Sequence, residues 1–153
     1  MRIRDLVPPE AVLDDIRSDT KEGVLLELSE VLSGMVPSLP AEAIASILLE
    51  RENLGSTGIG DGVAIPHGKA AGIERLVAAF GRSRKGVQFQ SLDGQPAHLF
   101  FALMAPETSA GMHLKALARI SRLMKDERFR RSLLEARDAG ELCRILLEED
   151  GRG

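Results

Sequence analysis

The sequence predicts an α/β fold, a three-layer sandwich with a central sheet between helices on both faces. Three observations predict it. Helical periodicity fills the beginning and the end of the chain, whereas the middle breaks into short apolar runs separated by glycines. Leu99 to Ala105 is nearly continuous apolar sequence, the texture of a strand covered on both sides. Helices before and after a group of strands must bury their apolar stripes against it, and a sheet offers two faces for that.

Each element has its own signals. After Pro8-Pro9 and the short apolar pair Val12-Leu13, the segment DTKEGVLLELSEVLSGMVP reads as a helix. Asp19 with Glu22 predicts a capping box, Val24, Leu28, Val31 and Leu32 share a face, and Gly34 with Pro37 supplies the stop. A second helix is predicted from about Pro40 to Asn53, burying Ile44, Ile47 and Leu48; the same spacing brings Arg51 onto that face. Strand-length runs follow in VAIP, ERLVAAFGRS and AHLFFALMAP. The helical period then returns with Leu117, Ile120 and Met124, with Phe129 and Leu133, and with Leu142, Ile145 and Leu146. Asp126 and Asp138 are the predicted N-caps of the last two helices.

Composition bounds the function. A length of 153 residues predicts a single domain over 1–153, and 44% hydrophobic with 28% charged residues is the make-up of a globular protein rather than a disordered one. Five Phe with no Trp or Tyr leave few rings on which bases could stack, and a net charge of -3 gives no overall field for a polyanion, so no nucleic-acid partner is predicted. The single cysteine, Cys143, excludes an internal disulfide and fits a reducing cytoplasm; alternating with leucines, it reads as a small core residue. No apolar run approaches the roughly 20 residues of a spanning helix, which predicts a chain that is not membrane-embedded. No cofactor is predicted.

The stretch GSTGIGDGVAIPHGK, Gly55 to Lys69, is the least ordinary part of the chain. It matches neither nucleotide-loop pattern, because no Gly-Lys-Ser/Thr follows at the right spacing and a strand rather than a helix follows Gly62. A multiple turn with positive φ at Gly58, Gly60 and Gly62 explains the glycines but not His67. His67 stands behind Pro66 and before Gly68, with a small neighbour that leaves its ring uncovered. An imidazole can attack phosphorus and carry the phosphoryl group, given positive charge and donors around the oxygens. Two residues can supply these. His113 falls in the first turn of a predicted helix, in register with Leu117, Ile120 and Met124, where the helix dipole favours the neutral ring. Arg51 ends the apolar face of its own helix; spacing alone fits a snorkelling arginine equally well. His98 reads as structural or exposed, Arg82, Arg84 and Lys85 as a solvated turn, and Lys69 as a solvated lysine that could steer an acidic partner.

Three segments, LLERENLGSTGIGDGVAIPHGK, LDGQPAHLFFALMAPE and HLKALARISRLMKD, resemble the enzyme IIA domain of the bacterial phosphotransferase system, in the fructose-mannitol class that includes the nitrogen-related regulatory form. The resemblance implies a mixed central sheet. It also implies that His67 is phosphorylated by a histidine-containing phosphocarrier protein, itself charged from phosphoenolpyruvate by enzyme I. It makes His113 and Arg51 the residues that assist, with Ser56 and Thr57 as hydrogen-bond donors to the phosphate through hydroxyl or backbone. Two positions depart from the family pattern: Asp61, where relatives carry Asn, and His98.

The leading expectation is a regulatory, nitrogen-related enzyme IIA, since no IIB or membrane domain accompanies the sequence. The alternatives are a sugar-transport subunit of fructose or mannitol type, passing phosphate to a IIB component, and a binding module without phosphotransfer. A metal-dependent hydrolase built on His67 and His113 lacks a third ligand at metal-site spacing.

Overall fold

The computed structural model describes residues 2–149. Its elements are α1 (Ile3–Leu6), β1 (Val12–Leu13), α2 (Lys21–Met35), α3 (Ala41–Asn53), β2 (Gly58–Gly60), β3 (Val63–Ala64), β4 (His67–Ala70), β5 (Val77–Val87), β6 (Ala97–Pro106), α4 (Ala110–Met124), α5 (Glu127–Glu135) and α6 (Ala139–Glu148). The predicted order holds, with helices on either side of a mixed sheet.

The sheet runs β1-β5-β6-β3-β2, and β4 also pairs with β6. β5 and β6 are antiparallel and form the centre, while β3 and β4 lie parallel to β6 along one edge. The register shows that they are two stretches of one line: Val63 faces Leu99 and His67 faces Leu103, the same offset, with Ile65-Pro66 between them, where only the Pro66 carbonyl bonds to β6, accepting from Leu103 N–H at 2.9 Å. Pro66 has no N–H to donate, so the ladder breaks there and resumes at His67. His67 thus begins its own strand rather than ending the preceding one.

Alternation along β5 assigns the layers. Gly81 opens toward α2, where an added Cβ would stand 3.3 Å from Leu28 Cδ2. Arg82 faces the other way and reaches the end of α5. Along β4, Gly68 faces α3, since an added Cβ would lie 2.5 Å from Ile47 Cγ2, and His67 faces the side of α4. The core between the layers is aliphatic with five buried Phe, four of them in two edge-to-face pairs, Phe80 with Phe101 and Phe89 with Phe100.

Four expectations are corrected. The cap of α2 is Thr20, whose hydroxyl accepts from Gly23 N–H at 3.1 Å, so the Asp19–Glu22 box is displaced by one residue. Pro40 is the N-cap of α3 rather than a residue of its first turn. Gly58 is needed for closeness and not for positive φ: a Cβ there would stand 2.9 Å from the Ser91 Cα, whereas Gly60 and Gly62 do have positive φ, 97° and 77°. Arg82 belongs to no solvated turn. It is 1% exposed, donating to Leu133 O at 2.7 Å, to Ala136 O at 2.6 Å and to the Asp14 carboxylate. β5 simply continues through the charged residues, and alternation sends Arg82 inward to the carbonyls ending α5. Asp126 and Asp138 do cap α5 and α6.

Candidate functional site

β4 is an edge strand with α3 and α4 on its two sides, so its free edge opens into a cleft of about 670 Å³ between them. His67, Lys69, Arg51 and His113 line it, with Leu54 and Leu114 among the apolar residues. Three of the five residues singled out as a site therefore converge from elements far apart in sequence. Lys69 joins them because strand alternation puts it on the face of His67.

The geometry fixes the chemistry of His67. Its Nδ1 lies 2.7 Å from the Ile65 carbonyl. A carbonyl only accepts, so the neutral ring carries its proton on Nδ1 and its lone pair on Nε2. Burial pulls the His67 pKa below its ordinary value; the Ile65 hydrogen bond opposes this, the Arg51 charge adds to it, and Glu52 opposes it. The ring is therefore neutral and nucleophilic at neutral pH.

His113 meets it edge to face, with ring centroids 5.4 Å apart and planes at 81°. It is 4% exposed, and its Nε2 is buried with no hydrogen-bond partner. Burial first, then the charges of His67 and Lys69, push its pKa down to about 4. It sits in the first turn of α4, whose N-cap Ser109 uses its hydroxyl on Pro106 O instead of capping, so no side chain caps the helix N–H groups. An uncapped helix N-terminus beside a neutral imidazole with an unused ring nitrogen is a setting for a polyanion. Arg51 Nη1 donates to Gly55 O at 2.8 Å, which leaves other donors of its planar fork for phosphate oxygens.

Ser56 and Thr57 do not line the cleft. The Ser56 hydroxyl donates to Phe89 O at 2.7 Å, and the Thr57 hydroxyl donates to the Glu52 carboxylate. Sequence reasoning missed Glu52, whose adjacency to Arg51 was visible but whose partner Lys21, 31 residues away, was not. Asp61 is exposed at a turn with φ 58°, its N–H on Asp93 Oδ2, a conformation Asn and Asp tolerate best among residues with a side chain. His98 is structural: Nδ1 is 2.9 Å from Ser83 O, and the ring packs over Gly86. Cys143 is half-buried in α6. No helix among the described residues is long and apolar enough to cross a membrane, and no three metal-ligating side chains cluster among them.

Comparison with known proteins bears on family and fold. The family described as phosphoenolpyruvate-dependent sugar phosphotransferase system, EIIA 2, matches residues 5–149. A nitrogen regulatory protein of Bradyrhizobium diazoefficiens is 42% identical over 146 residues, 95% of each chain. The fructose-specific EIIABC component of Bacillus subtilis is 41% identical over 98% of this chain, which spans 24% of that larger protein. Nitrogen regulatory protein IIA-Ntr from Neisseria meningitidis superposes with a TM-score of 0.89 at 35% identity, covering 94% of this chain and 98% of that one. The fold also matches mannitol enzyme IIA of Escherichia coli in complex with phosphorylated enzyme IIB, TM-score 0.75 at 20% identity, over 91% of this chain and 95% of that one. The chain belongs to the phosphotransferase-system EIIA 2 family, with nitrogen regulatory proteins and a fructose-specific component both among its relatives.

Proposed function

We propose that this chain is a single-domain regulatory phosphocarrier that accepts a phosphoryl group on His67 from a histidine-containing phosphocarrier protein. The observation that carries the reading is the Ile65 hydrogen bond, which leaves Nε2 of His67 as the free nucleophile in a cleft with Arg51, His113 and Lys69. In the transfer, Nε2 attacks the donor's phosphorus, a new N–P bond forms as the donor's N–P bond breaks, and the electron pair returns to the donor imidazole. Arg51, Lys69, the His113 ring and the first turn of α4 surround the phosphoryl oxygens with positive charge and donors. Ser56 and Thr57, whose hydroxyls are committed to Phe89 O and Glu52, support the turn beside the site rather than donate their hydroxyls to phosphate.

Leu54 and Leu114, 85% and 68% exposed, stand at the cleft and give a protein partner apolar surface around the reactive nitrogen. Phosphorylation would place negative charge on this same face, so a regulatory partner that reads it would discriminate by local electrostatics. A sugar-transport role is the second reading, favoured by the 41% identity to the fructose-specific component. Incubation with enzyme I, the carrier protein and labelled phosphoenolpyruvate should give one acid-labile phosphoryl group on the chain and none on His67→Ala. Label persisting in His67→Ala contradicts the assignment, and no label on either protein leaves the binding-module reading.

A further inference from the structure

The most developed polar construction outside the cleft adjoins Arg51. Glu52, the next residue on α3, is 5% exposed, yet its carboxylate stands at a helix C-terminus, where the dipole disfavours negative charge. Three donors hold it: Lys21 Nζ at 3.0 Å, the Thr57 N–H at 3.1 Å and the Thr57 hydroxyl. Lys21, at the start of α2, is equally misplaced with respect to its own helix dipole. It also donates to Gln90 Oε1 at 2.8 Å and lies 4.7 Å over the Phe89 ring. A buried ion pair of this kind is weak evidence for stability, since desolvation offsets most of the attraction. What it does fix is geometry. Glu52 grips Thr57, the Ser56 hydroxyl ties the same turn to Phe89 O, and Gly55 N–H donates to Glu52 O at 3.1 Å. The Gly55 carbonyl within that turn is the one that receives Arg51 Nη1.

We propose that Glu52 is a positioning residue of the phosphoryl site: by holding Thr57 it fixes the turn whose Gly55 carbonyl aims the Arg51 guanidinium into the His67 cleft. The inference deepens the reading of His67 as phosphoryl acceptor with Arg51 as its electrostatic partner, and it rests on that reading. It also gives the Thr57 hydroxyl a role distinct from touching phosphate.

Two variants test it, Glu52→Gln and the milder Thr57→Val, with Thr57→Ser as the conservative rescue. Single-turnover transfer from the phosphorylated carrier protein is measured for each in the native and the Arg51→Ala backgrounds. Misaimed donors at a reacting centre slow transfer by about tenfold or more. That loss is expected with Arg51 present, is restored by Thr57→Ser, and falls below about twofold in Arg51→Ala, where nothing remains to be aimed. Equal losses in both backgrounds mean general damage and overturn the proposal, as does full activity of Thr57→Val. A second readout needs no phosphotransfer: in the unphosphorylated protein, ¹⁵N relaxation should show Arg51 Nε more mobile in Thr57→Val and unchanged in Thr57→Ser. Unaltered Arg51 order in Thr57→Val overturns the positioning role even if His67 accepts no phosphate. Absence of His67 label in the otherwise native chain overturns the carrier reading instead. If Glu52→Gln fails to fold, Thr57→Val carries both measurements.

Discussion

His113 makes stability depend on pH in a way that can be worked out. Its pKa is about 4 in the folded protein against an ordinary 6.5, so the unfolded chain binds the proton more readily. Stability from keeping the ring neutral is complete above pH 6.5 and is lost as pH falls toward 4. The full difference corresponds to an upper limit of about 3 kcal/mol, of which roughly 2 kcal/mol is already gone at pH 5 and almost none at pH 7. His67, also lowered, adds a loss in the same direction, so the contribution of His113 is isolated by comparison with His113→Gln. Urea unfolding of both proteins between pH 7 and pH 5 is the assay. The native protein should lose up to about 2 kcal/mol more than the variant over that interval. Parallel stability curves would refute the idea that His113 is held neutral by its surroundings.

Two further predictions concern residues outside the cleft. Arg82→Met removes donors from the carbonyls of Leu133 and Ala136 and should lower the unfolding free energy by about 3 kcal/mol, with a loss below about 1 kcal/mol in chemical denaturation contradicting its assignment as the staple of α5. Asp61→Asn should leave the single-turnover rate of the proposed transfer within about twofold, because a solvated carboxylate in that turn is screened from the His67 cleft; a tenfold faster variant would show that it repels the incoming group.

Much of the site was legible because helical periodicity predicts direction. Extending the faces of Ile44, Ile47 and Leu48 and of Leu117, Ile120 and Met124 put Arg51 and His113 each on the inward face of its own helix, the family resemblance joined them to His67, and the structure sets both on the cleft. What escaped depended on contacts remote in sequence. The run RSRKG has the composition of a turn, yet β5 continues through it and the carbonyls at the end of α5, 51 to 54 residues on, claim Arg82. The resemblance made Thr57 available to phosphate, whereas its hydroxyl is taken by Glu52, a carboxylate held in place by Lys21 from 31 residues away. Gly58 was assigned a conformational role by composition, whereas its real constraint is the backbone of Ser91.

The central claim is tested most directly by identifying the nitrogen that carries the phosphate. With ¹⁵N-labelled imidazoles and the complete phosphoenolpyruvate-driven relay, NMR of the phosphorylated chain should show a single phosphohistidine at His67, substituted at Nε2, with Nδ1 still protonated toward the Ile65 carbonyl. Phosphate at Nδ1, phosphate on His113, or unchanged spectra after complete turnover of the donor would contradict it.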